Sequence, residues 1–76
     1  MKDKELLTSA ELGARVRELR KAQKVTQAQL AGLANTGIRF VGDLENGKET
    51  CHLGKTLRVL SALGVCVYIH SPYDKE

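Results

Sequence analysis

Residues 26–47 read TQAQLAGLANTGIRFVGDLENG, and this stretch contains two helix starts separated by a short break. Thr26 and Gln29 have the spacing of a capping box, which predicts a helix of about two turns that begins after Thr26. Thr36 is a suitable cap for the next helix, and Gly47 would end that helix because glycine readily adopts the left-handed conformation. The stretch therefore predicts two short helices joined by a turn that contains glycine.

Longer amphipathic patterns flank this pair on both sides. Upstream, a second capping-box spacing precedes three apolar residues at i, i+4 and i+7, namely Leu12, Val16 and Leu19. This pattern predicts a first helix over about residues 9–23. Downstream, four leucines recur with helical spacing, namely Leu53, Leu57, Leu60 and Leu63. They predict a fourth helix that Gly64 stops.

Residues 65–70 change to a period of two. One face would carry Val65, Val67 and Ile69, and the other Cys66, Tyr68 and His70. This alternation predicts a β-strand, but the chain contains no second strand that would satisfy its backbone groups. We therefore predict a homodimer in which the strand pairs with its own copy, through Val65, Val67, Tyr68 and Ile69. The alternative is an irregular C-terminal tail.

The length and composition suit one small helical domain. The chain has 76 residues, of which 42% are apolar and 28% charged, with one Pro and no Trp. These values exclude intrinsic disorder and leave too few residues for most enzymes. The predicted fold is all-α, a four- to five-helix domain with a short C-terminal strand that pairs across a dimer. We expect a flexible tail over residues 1–7, the helical domain over 8–64, and the dimerisation strand and tail over 65–76.

The net charge of +3 is concentrated in the middle of the chain. Between Arg15 and Arg58 nine basic residues stand against four acidic ones, which gives this segment a charge of +5. A polyanion is one candidate partner, and an ordinary solvated surface is the alternative. The helix pattern favours the polyanion, because two short helices joined by a turn after a basic helix form a helix-turn-helix arrangement. In that arrangement the second helix lies in the DNA major groove.

No motif indicates catalysis or a cofactor. Cys51 and Cys66 do not form a CxxC pair, so their spacing predicts reduced, structural cysteines and no metal site. The sequence has neither a glycine-rich phosphate loop nor a Ser/His/Asp set, and we predict that the protein is not an enzyme. The N-terminal residues have the pattern of neither a signal peptide nor a membrane span, so we expect a cytoplasmic protein with no membrane partner.

Three blocks of the sequence resemble a known family. They are TQAQLA at 26–31, TGIRFV at 36–41 and DLENGK at 43–48. Together with residues 57–64 they are similar to the Xre family of phage-repressor and Cro-type regulators, over about residues 12–65. Within that family, RFVGDLE at 39–45, LRVL at 57–60 and the terminal strand most resemble the HipB-like antitoxins encoded beside HipA-type kinase toxins.

The resemblance implies a homodimer that binds an inverted-repeat operator in double-stranded DNA, represses its own operon and holds a HipA-like kinase toxin. A stand-alone Xre-type repressor without a toxin partner is one alternative. A protein-interaction adaptor is the other alternative. Salt-dependent binding to duplex DNA distinguishes both kinds of regulator from an adaptor, because an adaptor does not release counterions from DNA.

The resemblance also assigns roles to residues of this chain. The positions that lead into or face the major groove match Thr36, Gly37, Ile38, Arg39, Gly42 and Asp43. Among them Arg39 alone is able to make the paired hydrogen bonds that read guanine. The family positions that contact DNA phosphates match Gln27, Asn46 and Lys48. The position that caps the phosphate-binding helix matches Thr26. For Asn46 and Lys48 the alternatives are helix capping and a solvated lysine.

Two further matches are interpreted as structural. Arg20 and Glu45 correspond to a family pair that joins the first and third helices by an ion pair, so we expect them outside the binding surface. Phe40 could wedge against DNA or a toxin, but its place beside Val41 favours packing in the core or at the dimer contact.

Overall fold

The computed structural model describes residues 5–74, and four helices follow one another in it. They are α1 (Ser9–Ala22), α2 (Gln27–Ala34), α3 (Ile38–Glu45) and α4 (Leu53–Ala62). These are the helices that the sequence patterns predict, and residues 5–74 contain neither a fifth helix nor a strand. The first four residues of the expected N-terminal tail, and the last two of the C-terminal one, lie outside the described residues.

Side-chain caps begin three of the helices. Thr8 Oγ1 accepts a hydrogen bond from the backbone N–H of Glu11 at 3.1 Å. Thr26 and Gln29 form the predicted capping box: Thr26 Oγ1 accepts from the N–H of Gln29 at 3.0 Å, and Gln29 Oε1 accepts from the N–H of Thr26 at 2.8 Å. His52 caps α4 through Nδ1. Local side-chain chemistry therefore sets these three helix starts.

α3 begins one residue later than the prediction places it. Its N-cap residue is Gly37, which has no side chain to accept a capping hydrogen bond. The hydroxyl of Thr36 donates to the carbonyl of Gly37 at 3.4 Å and does not cap the helix. The expected capping role of Thr36 is therefore wrong. The reason lies in the turn: Asn35 takes a left-handed conformation with φ of 56°, and the N–H of Thr36 returns to the carbonyl of Ala31 at 2.9 Å. Thr36 thus belongs to the end of α2.

All four helices end in the same hydrogen-bonded motif. After the last turn comes a residue with positive φ, and the N–H of the next residue bonds to a carbonyl five positions earlier. The residues with positive φ are Lys24, Asn35, Gly47 and Gly64, at 58, 56, 82 and 76°. Gly47 and Gly64 are the predicted stops, and Asn35 lies in the predicted break after the second helix. Only Lys24 gave no comparable signal in the sequence. The connections from α1 to α2 and from α2 to α3 are therefore short turns, whereas residues 46–52 form a longer connection from α3 to α4.

One apolar core lies between the helices. Its buried residues are Val16, Leu30, Ala31, Ala34, Val41, Leu44, Val59, Leu60 and Leu63. α1 packs against α3, and α2 packs against both α3 and α4. α3 is therefore held by two neighbours along its inner face.

α4 buries only part of the leucine repeat that predicts it. Leu60 and Leu63 are buried, together with Val59. Leu53 and Leu57 are 70% and 46% exposed, so the first half of the repeat lies on the surface. The spacing identifies a helix correctly but does not say which of its leucines face the core.

The C-terminal segment is the clearest departure from the sequence patterns. Val65 packs partly against the core, and the large apolar residues after it are mostly exposed. These are Val67, Tyr68, Ile69 and Tyr73. No strand forms over residues 65–70 of the described chain, because a single copy offers no second strand as a hydrogen-bonding partner. Pairing with a second copy stays a prediction.

Candidate nucleic-acid interface

An arginine from α4 braces the turn between α2 and α3. Arg58 donates Nε to the carbonyl of Ala34 at 3.1 Å and Nη2 to the carbonyl of Asn35 at 3.4 Å. These carbonyls end α2, where unpaired oxygens and the helix dipole favour a cation. The turn is thereby tied to α4, which fixes the direction in which α3 leaves it. Sequence reasoning missed this role, since nothing in the spacing connects residue 58 with residue 34.

The first turn of α3 is open to solvent. Ile38 is 55% exposed although it is a large apolar residue. Arg39 beside it is exposed and has no hydrogen-bond or ion-pair partner within residues 5–74. Gly37 is exposed as well, and a Cβ built on it would meet nothing within 4 Å. The predicted groove-facing residues at this end of α3 are thus free to contact a partner.

Two more of the predicted groove-facing residues, Gly42 and Asp43, lie further along α3 and are half-buried. A Cβ built at Gly42 would stand 4.0 Å from Gln27 Nε2, so α3 passes close to the start of α2 at this point. Asp43 and Lys48 are brought together, with Oδ2 and Nζ 3.5 Å apart. Both side chains remain partly exposed, and an ion pair of this kind contributes little to stability.

A buried carboxylate connects the first three helices. The side chain of Glu45 is 0% exposed and accepts hydrogen bonds from Arg20 Nε at 2.6 Å and Nη2 at 3.1 Å. Gln27 Nε2 donates to the same carboxylate at 3.1 Å, and Arg17 Nε lies 3.4 Å from it. The predicted ion pair of Arg20 and Glu45 is therefore confirmed. The participation of Arg17 and Gln27 was not foreseen.

The donors keep this carboxylate ionised. Burial by itself would raise the pKa of Glu45, but hydrogen bonds from Arg20, Gln27 and Arg17, with the positive charge of Arg20, hold the pKa below its ordinary value of 4.5. The hydrogen bond to Glu45 in turn raises the pKa of Arg20 above its ordinary value. With two arginines and one glutamate, the group carries a net charge of +1 at neutral pH.

The two amide side chains predicted to contact phosphate both reach this group, which we call the Glu45 cluster (Arg17, Arg20, Gln27, Glu45 and Asn46). Gln27 does so directly. Asn46 is exposed just after α3, and its Oδ1 accepts a hydrogen bond from Arg17 Nη2 at 3.1 Å. Thr26 is exposed and caps α2, as expected. Tertiary structure thus connects two residues that are far apart in sequence to one carboxylate, Gln27 directly and Asn46 through Arg17.

Phe40 lies between the core and a lysine. It packs partly against the core, and Lys55 Nζ stands 5.9 Å from the centre of its ring. This arrangement agrees with the interpretation of Phe40 as a packing residue. The cysteines are free in the described chain, with Cys51 half-buried and Cys66 exposed.

The described residues provide neither a metal site nor a membrane span. Among residues 5–74, no group of three or more His, Cys, Asp and Glu side chains could hold a metal ion. None of the helices in the described part of the chain is long and apolar enough to cross a membrane.

Comparisons with known proteins agree with this geometry. The family model described as "Helix-turn-helix domain" matches residues 11–66. The uncharacterized HTH-type transcriptional regulator y4mF of Sinorhizobium fredii (strain NBRC 101917 / NGR234) is 46% identical over 73 residues, which cover 96% of each chain.

Two solved structures extend the comparison. A chain in a HipA-HipB-O2-O3 complex superposes with a TM-score of 0.85 at 16% identity, covering 92% of this chain and 99% of that one. The restriction-modification controller protein C.AhdI from Aeromonas hydrophila superposes with a TM-score of 0.69 at 33% identity, covering 75% of this chain and 86% of that one. The chain thus belongs to the helix-turn-helix family of DNA-binding transcriptional regulators, with a fold of the Xre/HipB type.

Proposed function

We propose that the chain is a sequence-specific repressor that binds operator DNA as a homodimer and represses its own promoter. The observation that carries the proposal is the open first turn of α3, where Ile38 and Arg39 are exposed while Val41 and Leu44 on the same helix are buried. A helix about 10–12 Å across fits a major groove about 12 Å wide, so a turn exposed in this way is able to reach base edges.

The residues of α3 and of the turn before it have distinct roles in the proposed readout. Arg39 hydrogen-bonds N7 and O6 of a guanine, and Ile38 makes an apolar contact with a thymine methyl group. Gly37 and Gly42 lack side chains and allow the backbone to approach the DNA closely. Thr36 and Asp43 complete the groove-facing set at its edges.

Phosphate contacts on either side would hold α3 in register. Gln27 is the first residue of α2, and its backbone N–H has no intrahelical partner by position. Thr26 fixes this helix start through the capping box. Asn46 and Lys48 follow α3 and contact phosphates from the other side. Lys48 is 53% exposed and remains accessible despite its pairing with Asp43.

The exposed apolar residues of the C-terminal half support a dimer. Val67, Tyr68 and Ile69 are 58, 86 and 91% exposed, and Leu53 and Leu57 add further apolar surface on α4. Large exposed apolar residues that follow one another, as in residues 67–69, are a feature of interaction sites. In the proposed dimer, residues 65–69 of the two copies pair as antiparallel strands, which satisfies their backbone groups.

We further propose that the partner of this dimer is a HipA-type kinase toxin. The match to a chain of the HipA-HipB-O2-O3 complex covers 92% of this chain. The helical domain, residues 8–64, makes up only about three quarters of this chain. The likeness therefore extends beyond the helical domain into its flanking segments. At 16% identity this likeness concerns the fold, so the antitoxin role rests on it together with the sequence resemblance.

A stand-alone regulator without a toxin is the second candidate. The observation in its favour is the 33% identity with the controller protein C.AhdI, about twice the identity with the HipA-HipB-O2-O3 chain. Both candidates bind DNA, need no cofactor and no enzymatic activity, and act in the cytoplasm.

The DNA-binding part is tested by fluorescence anisotropy with two labelled duplexes. One carries the promoter region of the chain's own gene, and the other has the same bases in scrambled order. We expect tighter binding to the promoter and, for both duplexes, an affinity that falls linearly with salt on logarithmic axes. An affinity that does not change with salt would contradict DNA binding and leave the adaptor function.

The antitoxin part is tested by co-expression with the product of the adjacent gene. Co-purification of a HipA-like kinase with the chain is the expected result. If the neighbouring genes encode no such kinase, the stand-alone regulator is the correct assignment.

A further inference from the structure

We infer that Arg17 of α1 is a positioning residue for DNA binding, because it turns the side-chain amide of Asn46 so that its N–H groups face a phosphate. The inference rests on the proposed function and extends it to a residue that neither the motif nor the resemblance includes.

The side chain of Arg17 spans from the buried to the exposed side of the Glu45 cluster. Its Nε lies 3.4 Å from Glu45 Oε1, and its Nη2 donates to Asn46 Oδ1 at 3.1 Å. The side chain of Glu45 is 0% exposed, whereas that of Arg17 is 45% exposed. The buried carboxylate therefore anchors one end of the guanidinium, and the other end extends to the surface where Asn46 lies.

This contact selects one orientation of the Asn46 amide. A side-chain amide carries a carbonyl oxygen on one side and an NH2 group on the other. Rotating the amide by half a turn would place its NH2 group against the guanidinium of Arg17. Both groups are hydrogen-bond donors, so that orientation is unfavourable. With Oδ1 on Arg17, the two N–H groups point away from the cluster, and no hydrogen bond within residues 5–74 uses them. They are donors without an acceptor in the protein.

The second predicted phosphate contact is arranged by the same carboxylate. Gln27 Nε2 donates one N–H to Glu45 Oε1 at 3.1 Å, which fixes the direction of that amide as well. Two oriented amides thus flank a group whose net charge is +1. An anionic phosphate oxygen binds favourably to oriented hydrogen-bond donors in a region of positive potential.

An arginine is needed for this role because its planar fork bonds two acceptors at once. A lysine keeps the charge but ends in one ammonium group on a flexible stem, and it does not hold two separate oxygens in a fixed geometry. Arg17→Lys is therefore the informative variant. It separates orientation of Asn46 from charge, and it leaves the pair of Arg20 and Glu45 intact.

The test is a double-mutant cycle with Arg17→Lys, Asn46→Ala and the combined variant in the full chain. The probe is a duplex of arbitrary sequence at low salt, since phosphate contacts do not depend on base sequence. Each single variant should bind about tenfold more weakly, as expected for loss of one hydrogen bond to a charged group. The combined variant should bind no more weakly than Asn46→Ala, and the salt dependence should not change.

Circular dichroism and thermal unfolding verify that the variants are folded. In the free protein, the side-chain amide resonances of Asn46 in a ¹⁵N-correlation spectrum should shift in Arg17→Lys, because their orienting partner is lost.

Unchanged affinity of Arg17→Lys, or losses that multiply in the combined variant, would overturn the inference while leaving the proposed function in place. A parent chain that binds no duplex at any salt concentration would overturn both.

Discussion

Gly13 of α1 lies directly against the backbone carbonyl of Leu44, in the last turn of α3. A Cβ built at Gly13 would overlap that carbonyl oxygen and would stand 2.9 Å from the carbonyl oxygen of Glu45. The two helices are able to approach this closely only because position 13 has no side chain. The same approach brings Arg17 and Arg20 of α1 to the carboxylate of Glu45.

Replacing Gly13 by alanine should therefore destabilise the fold. The methyl group meets backbone atoms of another helix, which cannot move aside as a flexible side chain would. We expect Gly13→Ala to lower the free energy of unfolding by about 3 kcal/mol, despite the better helix propensity of alanine. Urea unfolding followed by circular dichroism measures this change.

Gly32→Ala is the matched control. Gly32 also lies within a helix, but a Cβ built there meets nothing within 4 Å. That variant should be more stable than the parent by about 0.5–1 kcal/mol. Equal midpoints for the two variants would contradict the close contact at Gly13.

The ionised Glu45 makes stability depend on pH in acid. Because its pKa is lower in the folded chain than the ordinary value of 4.5, its contribution is complete above about pH 4.5 and is lost as the pH falls through the folded pKa. Glu45→Gln should lower the free energy of unfolding at pH 7 by about 3–5 kcal/mol, since Arg20 then loses its buried partner. The variant should also lose less stability than the parent between about pH 5 and pH 3.

Glu49→Gln is the control for this experiment, because Glu49 is exposed and has no partner within residues 5–74. Its urea midpoints should follow those of the parent at every pH. If Glu45→Gln also follows the parent curve, the carboxyl of Glu45 does not titrate with a lowered pKa.

Arg39→Ala should change specificity. A bidentate arginine reads guanine, so its removal should weaken operator binding by about 1–3 kcal/mol and relax the preference at one base pair. Competition binding against operator variants changed one base pair at a time measures this effect. An Arg39→Ala protein that retains its full preference for the operator over scrambled DNA would contradict the role of Arg39.

Lys48→Ala should act on all sequences alike. Removing a phosphate contact weakens specific and non-specific binding together, and the slope of log affinity against log salt should become shallower by about one unit. Salt titrations with operator and scrambled duplexes measure both quantities. Loss of binding to the operator alone would instead indicate a role in base readout.

Truncation after Gly64 should lower the dimer fraction. The truncated chain lacks the residues proposed to pair across the two-fold axis and keeps the exposed Leu53 and Leu57 of α4. Sedimentation velocity at low micromolar concentration measures the dimer fraction. Truncation after His70, which retains residues 65–69, is the control and should remain dimeric. A dimer that persists after Gly64 would place the contact on Leu53 and Leu57 instead.

The two-fold symmetry of the proposed dimer determines the spacing of its operator. Two copies of α3 that enter successive major grooves require half-sites about 10 base pairs apart, or a multiple of this distance. Inserting about five base pairs turns one half-site to the opposite face of the DNA, and specific affinity should fall to the non-specific level. Inserting about ten should restore part of it. Gel shifts with equal affinity for all spacers would show that each subunit binds alone.

The features of this protein that could be predicted from its sequence are those that depend on residues close together in the chain. The capping box of Thr26 and Gln29 and the stops at Gly47 and Gly64 depend on residues at most a few positions apart, and the structure contains all of them. The turn before α3 shows the limit of such reasoning. Thr36 has the chemistry of a cap, but the left-handed conformation of Asn35 assigns it to the end of α2.

Apart from the ion pair of Arg20 and Glu45, which the family resemblance implied, contacts between distant residues were decided only by tertiary structure. In the sequence, nothing distinguishes Gly13 from the other six glycines, and its importance comes from the packing of α3 against it. Likewise, nothing distinguishes Arg58 from the other eleven basic residues, and its role comes from the contact of its guanidinium with the end of α2. Leu53 and Leu60 fit the same helical repeat, yet packing against α2 buries one and leaves the other exposed. The physical reason is that capping and turn formation depend on atoms within one or two turns of chain. Burial and ion pairing depend on which surfaces the whole fold brings together.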